Sequence, residues 1–222
     1  DLDGDGIDDL VTVGERQGDW MTDDEAHAVW FRGTTGPDRW ETTSRPIGDG
    51  GGSFPRVSDL DGDGDLDVAS AEFFVTGGSY AWFECLTPPS PQSPDGVWTR
   101  HVIDDDSGPA IQLSLVGDLY GDGRRFAVGS NHTNTQMSPP DPWESAVHAF
   151  EIPNDPTQPW PKTQISAGIV SDPGNMLTFQ VFQRSTPFPT LLAKRTNAGG
   201  KRRVGSFRSV NINCRSRDPK QK

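Results

Sequence analysis

The sequence predicts an all-β fold, a partial β-propeller of four-stranded blades, and three observations carry that expectation. A near-identical acidic string recurs at Asp1, Asp59 and Asp118, as DLDGDGIDDLV, DLDGDGDLDVAS and DLYGDGRRFAVG, at spacings of 58 and 59 residues. A fixed period of this size marks stacked repeats of one supersecondary unit. Between the acidic strings lie short β-rich segments separated by turn residues, and no stretch keeps a helical period.

Each unit reads as four strands. Within the first full unit, SFPRVSDL precedes the acidic loop and an apolar run from Val68 follows it. The corresponding runs in the other units are Leu10 to Val13 and Phe126 to Val128. A third strand follows in every unit, HAVWFRG from His27, SYAWFEC from Ser79 and AVHAFEI from Ala146. The fourth is built around Trp40, Trp98 or Trp160. The seven Trp of the chain, Trp30 and Trp82 of the third strands among them, recur at equivalent places and are expected to fill the space between blades. Three units fall short of the four to eight blades that close a propeller, so further blades or neighbouring domains are expected beyond this segment. Residues 1–175 are thus assigned to blades beginning near 1, 59 and 118, and 176–222 to a non-repeat basic tail, irregular or foreign to the fold. Residues 194–222 hold ten Lys or Arg against the single Asp218, whereas the chain as a whole carries a net charge of −12.

The acidic string has a chemistry of its own. In D-x-D-x-D-G-x-x-D, carboxylates at positions 1, 3 and 5 can converge on one hard cation, glycine at position 6 allows the turn, position 7 offers its carbonyl and position 9 closes the shell. An all-oxygen set of this kind suits calcium, with magnesium as the alternative cation. The first copy supplies Asp1, Asp3, Asp5, the Ile7 carbonyl and Asp9, and the second Asp59, Asp61, Asp63, the Asp65 carbonyl and Asp67. The third places Tyr120 and Phe126 at positions 3 and 9 and is expected to keep the turn without the metal.

These loops resemble FG-GAP or VCBS repeats, the calcium-loop blades of integrin α-chain propellers and of many secreted microbial proteins. That resemblance implies a ligand-binding scaffold outside the cell. Units that combine a W-F strand with W-x-x-H-x-I and end in ISAGIVSDPG are also similar to the propeller part of fungal aldos-2-ulose dehydratases. That family implies the alternative function, a carbon–oxygen lyase acting on anhydrofructose or aldosuloses, although the cupin domains of the family are absent here.

Composition narrows the partners. The acidity of the blades argues against phosphate-backbone ligands, so no nucleic acid is expected, and no stretch is long and apolar enough for membrane insertion. With only Cys85 and Cys214, no disulfide framework is indicated. The sequon at Asn131 is compatible with secretion and glycosylation. Because the acidic loops join strands 1 and 2, the opposite face is left for a carbohydrate or protein ligand, on loops spanning 15–27, 48–53, 72–79, 104–109 and 132–145. Glu72 and His132, at matching ends of second strands, are the weak candidates for a general acid and base pair, with neither role assigned to one of them. His101 is expected to be a packing residue.

Overall fold

The computed structural model describes residues 1–16, 25–73, 79–134, 144–166, 176–183 and 191–198, and among them there are only strands and turns, with no helix. Three antiparallel sheets follow one another along the chain. The first contains β1 (Leu10–Arg16), β2 (Glu25–Phe31) and β3 (Arg45–Asp49), in that order. The second contains β4 (Ser53–Ser58), β5 (Asp67–Glu72), β6 (Ser79–Thr87) and β7 (Val97–Asp104), again in sequence order. The third contains β8 (Ala110–Asp118), β9 (Arg125–Asn134), β10 (Val147–Ile152) and β11 (Lys162–Gln164). The second and third acidic strings join the first and second strands of their units, β4 to β5 and β8 to β9, so the predicted four-stranded blade is present in full in the second and third sheets. The first sheet corresponds to strands two, three and four.

Burial runs in the sense a propeller requires. Every residue of β5 is buried, because blades cover both of its faces, whereas β7 is largely open and β11 is wholly exposed. The inner strand β4 lies against β1 on one side and β8 on the other. Two apolar clusters stitch the blades together. Leu2, Ala28, Trp30 and Ile47 of the first meet Val68 and Phe83 of the second. Tyr80, Trp82 and Ile103 of the second meet Leu113, Ala127, Phe150 and Trp160 of the third. The expected filling role therefore holds for Trp30, Trp82 and Trp160, all buried. Trp40 departs from it, lying 40% exposed beside the turn that it closes by bridging to Gly33.

Close packing at these seams depends on a missing side chain. Gly129 on β9 faces the Tyr80 ring, and a Cβ added there would lie 2.5 Å from Cε1 and 2.8 Å from Cζ. Neither atom can withdraw, since Tyr80 is fully buried and tilted against Phe150 at 5.0 Å.

Within the region set apart as a basic tail, Met176–Gln183 and Leu191–Ala198 form a hairpin, β12 and β13. Met176, Leu177 and Thr178 pair with the projecting end of β9 at Asn134, Thr133 and His132. The remainder of the tail, with Cys214, lies outside the described residues. Cys85 is a buried free thiol, and burial pushes its pKa up to about 12, so it is packed as an apolar group.

Replacing Gly129 with Ala is expected to destabilise the protein by about 1–3 kcal/mol, the usual range for overpacking a tight interior. Urea unfolding followed by tryptophan fluorescence measures it.

Candidate functional site

Three loops of nine residues share one skeleton and differ in what neutralises it. In each, the Leu at position 2 is an apolar anchor: Leu2, Leu60 and Leu119 are buried while the residues on either side of them are more exposed. This leucine is not among the expected site residues, and its threefold repetition in the sequence is the signal that marks it. Glycines at positions 4 and 6 take positive φ in every copy, from 71° at Gly4 and Gly121 to 100° at Gly64. Those values lie where a side chain is strained, and they let the chain circle its own carboxylates. The position 1 carboxylates then accept loop amides, Gly6 N–H to Asp1 at 2.9 Å, Gly62 N–H to Asp59 at 2.7 Å, and Gly121 and Gly123 N–H to Asp118 at 2.7 and 2.9 Å.

Position 9 ties the loop to the rest of its blade. Asp67 accepts the Leu60 amide at 2.8 Å through one oxygen and the Cys85 amide of β6 at 2.9 Å through the other. Asp9 repeats the arrangement with Leu2 at 2.6 Å and Gly33 at 2.7 Å. Burial pushes the Asp67 carboxyl up to about 6, against the pull of its two amide donors. At the same place in the third loop stands Phe126, itself buried in an apolar cluster with Val116, Leu119 and Val128. The third loop is thus closed by packing where the others use a carboxylate.

Donor oxygens converge in two of the loops. Asp59, Asp61 and Asp67 each place an oxygen within 4.8 Å of the others, as do Asp1, Asp3 and Asp9. That span equals the separation of two ligands on opposite sides of a calcium ion at about 2.4 Å. Asp5 and Asp63 stand apart from these triads, accepting the position 7 amides of Ile7 and Asp65 at 2.9 and 2.8 Å. The second loop keeps its negative charge unpaired. Among the described residues no Arg or Lys bonds to Asp59, Asp61, Asp63, Asp65 or Asp67, and desolvation with like-charge repulsion raises the pKa of Asp61 and Asp65.

The first and third loops hold arginines. Arg32 donates to Asp3 at 2.6 Å and to Asp5 at 2.7 Å. In the third, Arg124 pairs with Asp122 at 2.7 Å and Glu151 at 2.8 Å, its guanidinium standing over the Tyr120 and Phe126 rings. The substitutions at positions 3 and 9 therefore build a cation–π stack in place of a metal shell.

Antiparallel blades whose first two strands are joined by this acidic loop define the class of the molecule, a β-propeller repeat protein. Residues 1–70, which contain both intact loops, match the FG-GAP-like repeat family and carry that repeat. No curated protein and no solved structure matches the chain.

At the opposite end of the third blade is a polar cavity of about 320 Å³, lined by Asp106, Ser107, Asn131, Glu144, His148, Lys162 and Gln164. Strand register fixes its position: Asp118 pairs with Arg125 at the acidic-loop end, whereas Ala110 pairs with Asn131 and Val147 with Ser130 at this one. Lys162 spans the wall, donating to Asp104 at 2.6 Å, to Asp106 and to Ser107 at 3.1 Å. Asn131 is fully buried, giving its amide protons to the carbonyls of Ser107 and Glu144 and accepting the Ala146 amide. That bonding corrects the sequon reading, since the Asn131 side chain is a structural clamp with no face open to a glycan. His148 is 7% exposed and, among the described residues, its Nδ1 has no hydrogen-bond partner. Burial, with the Lys162 charge adding to it, lowers the pKa of His148 to about 4. Nothing in the local sequence VHAF distinguished this histidine; only the fold sets it between Lys162 and Asn131.

The candidate acid and base sit elsewhere. Glu72 is fully buried, receives Arg100 at 2.8 and 2.9 Å, and accepts the Gly51 amide at 2.8 Å. It serves as a clasp between β5, β7 and the turn leading into β4. His132 is buried edge-on to Phe73 at 5.3 Å. His101 stacks on Trp82 at 4.6 Å and meets Glu84 at 2.6 Å, a packing residue as expected. Of the opposite-face loops, residues 17–24, 74–78 and 135–143 lie outside the described residues.

Because the folded-state pKa of His148 is depressed, its contribution to stability is present above the ordinary histidine value of about 6.5 and is lost as the pH falls through about 4. The His148 imidazole resonances are expected to titrate near pH 4 in an NMR series, and a midpoint at or above 6 contradicts the described burial.

Proposed function

We propose that this chain is the calcium-stabilised part of a β-propeller that binds a ligand on the face opposite its acidic loops. The observation that carries the calcium reading is the second loop, where three carboxylates converge and five acidic residues have no basic partner. Asp59, Asp61 and Asp67, with Asp63 and the Asp65 carbonyl, would hold the ion. The charge of the ion offsets their mutual repulsion, while Asp67 transmits the restraint to β6. A folded loop of this kind would stay filled in millimolar calcium, which supports the reading of a protein that works outside the cell.

The ligand reading rests on the cavity around His148 and Lys162. Its wall mixes an ammonium group, carboxylates, an amide and an imidazole, donors and acceptors that suit the hydroxyls of a neutral carbohydrate. Asp106 and Glu144 add net negative charge that disfavours phosphorylated or acidic ligands. A lyase reading has less support, because Glu72, one of its two weak candidates, is closed off from solvent by Arg100 and Gly51.

Calcium at ten times its dissociation constant is expected to raise the melting temperature measurably, since ligand linkage then contributes about 1.4 kcal/mol. Asp61→Ala should abolish that rise, and an unchanged rise sinks the calcium assignment. For the opposite face, a panel of neutral mono- and disaccharides titrated calorimetrically should include a saturable binder that Lys162→Ala weakens more than ten-fold. Absence of any saturable binder removes the carbohydrate reading and leaves the calcium one intact.

A further inference from the structure

We propose that Arg32 is the resident cation of the first acidic loop, so that its guanidinium takes the place of calcium there and the chain binds one calcium ion, in the second loop. This rests on the calcium reading of the second loop and adds to it a rule for which loops accept the metal.

The three blades provide the comparison. Strand register aligns Leu10 with Phe31, Val68 with Phe83 and Ala127 with Phe150, and each of these loop residues is position 10 of its repeat. The residue after the Phe is therefore equivalent in all three blades, and it is Arg32, Glu84 and Glu151. From this place a side chain reaches the acidic loop. In the first blade, Arg32 Nε bonds Asp3 Oδ2 and Nη2 bonds Asp5 Oδ2, the fork spanning positions 3 and 5. In the third, Glu151 reaches Arg124, so the same place again serves the charge balance of the loop. In the second, Glu84 is acidic and turns to His101, leaving the loop without a tethered cation.

An arginine remains charged at every accessible pH, and its planar fork matches two carboxylates better than one ammonium could. The contact is also sheltered: the Asp3 side chain is 7% exposed and that of Asp5 24%. For calcium to use Asp3 and Asp5, both charge-assisted bonds must break and the guanidinium must leave a site that then carries two further positive charges. Asp3 keeps an oxygen near Asp1 and Asp9, so the triad of carboxylates is preserved while its charge is already met. The consensus motif is therefore complete in both loops, and the residue that decides between them lies outside the motif, 29 positions from Asp3.

Equilibrium dialysis with calcium, supported by terbium luminescence, tests this on the full chain. The wild-type protein is expected to bind one ion, lost in Asp61→Ala and unaffected by Asp3→Ala. Arg32→Gln is expected to bind two, and Arg32→Gln combined with Asp61→Ala one. Arg32→Lys, which keeps the charge, should stay at one. Two ions on the wild-type chain with one lost in Asp3→Ala overturn the proposal, as does a single ion on Arg32→Gln. If Arg32→Gln fails to fold, the wild-type count with Asp3→Ala still decides. An Asp61→Ala variant that keeps the wild-type ion defeats the second-loop reading, whereas a gain of one ion in Arg32→Gln upholds the role of Arg32 independently.

Discussion

Carboxylates placed two residues apart in one tight loop repel one another, and each blade must neutralise that charge before its first two strands can be joined. The blades do so in three ways. Arg32 forks across Asp3 and Asp5, Arg124 stacks over Tyr120 and Phe126 while pairing with Asp122, and the second loop has no basic partner of its own. The electrostatic requirement is common to all three. What meets it in the first and third loops is an arginine, Arg32 outside the acidic string and Arg124 within it.

Around that constraint the loop is built as a rigid insert. The Leu at position 2 anchors it in the interior, two glycines turn it, and the position 9 residue fastens it to the third strand. Asp67 is the informative case, for its burial makes the charge expensive while its two amide donors favour it. Through its bond to the Cys85 amide, the same carboxylate ties the order of the loop to β6. Where Phe126 stands instead, hydrophobic burial does the fastening and no charge has to be balanced.

The other end of the blades is organised differently. There the polar groups are buried and cross-linked, with Glu72 clasped by Arg100 and Asn131 bridging three backbone groups. His148 and Lys162 stand out because one lacks a partner at Nδ1 while the other joins two carboxylates at the cavity wall. The acidic turns and the polar cavity thereby lie at opposite ends of the same strands, an arrangement in which the cavity loops can vary without loosening the acidic turns.

The sequence by itself determined the period, the antiparallel four-strand unit and the position of each acidic loop, because glycine conformation, strand alternation and carboxylate spacing are local properties. It also showed that the third loop had lost its donor set at Tyr120 and Phe126. The tertiary structure alone decided the fate of side chains distant in sequence. Arg32 reaches Asp3 across 29 positions, Arg100 reaches Glu72 across 28, and Asn131 is buried in its own sequon. Those outcomes depend on which strands become neighbours and which faces are covered, and charge pairing and desolvation have no value until that packing is set.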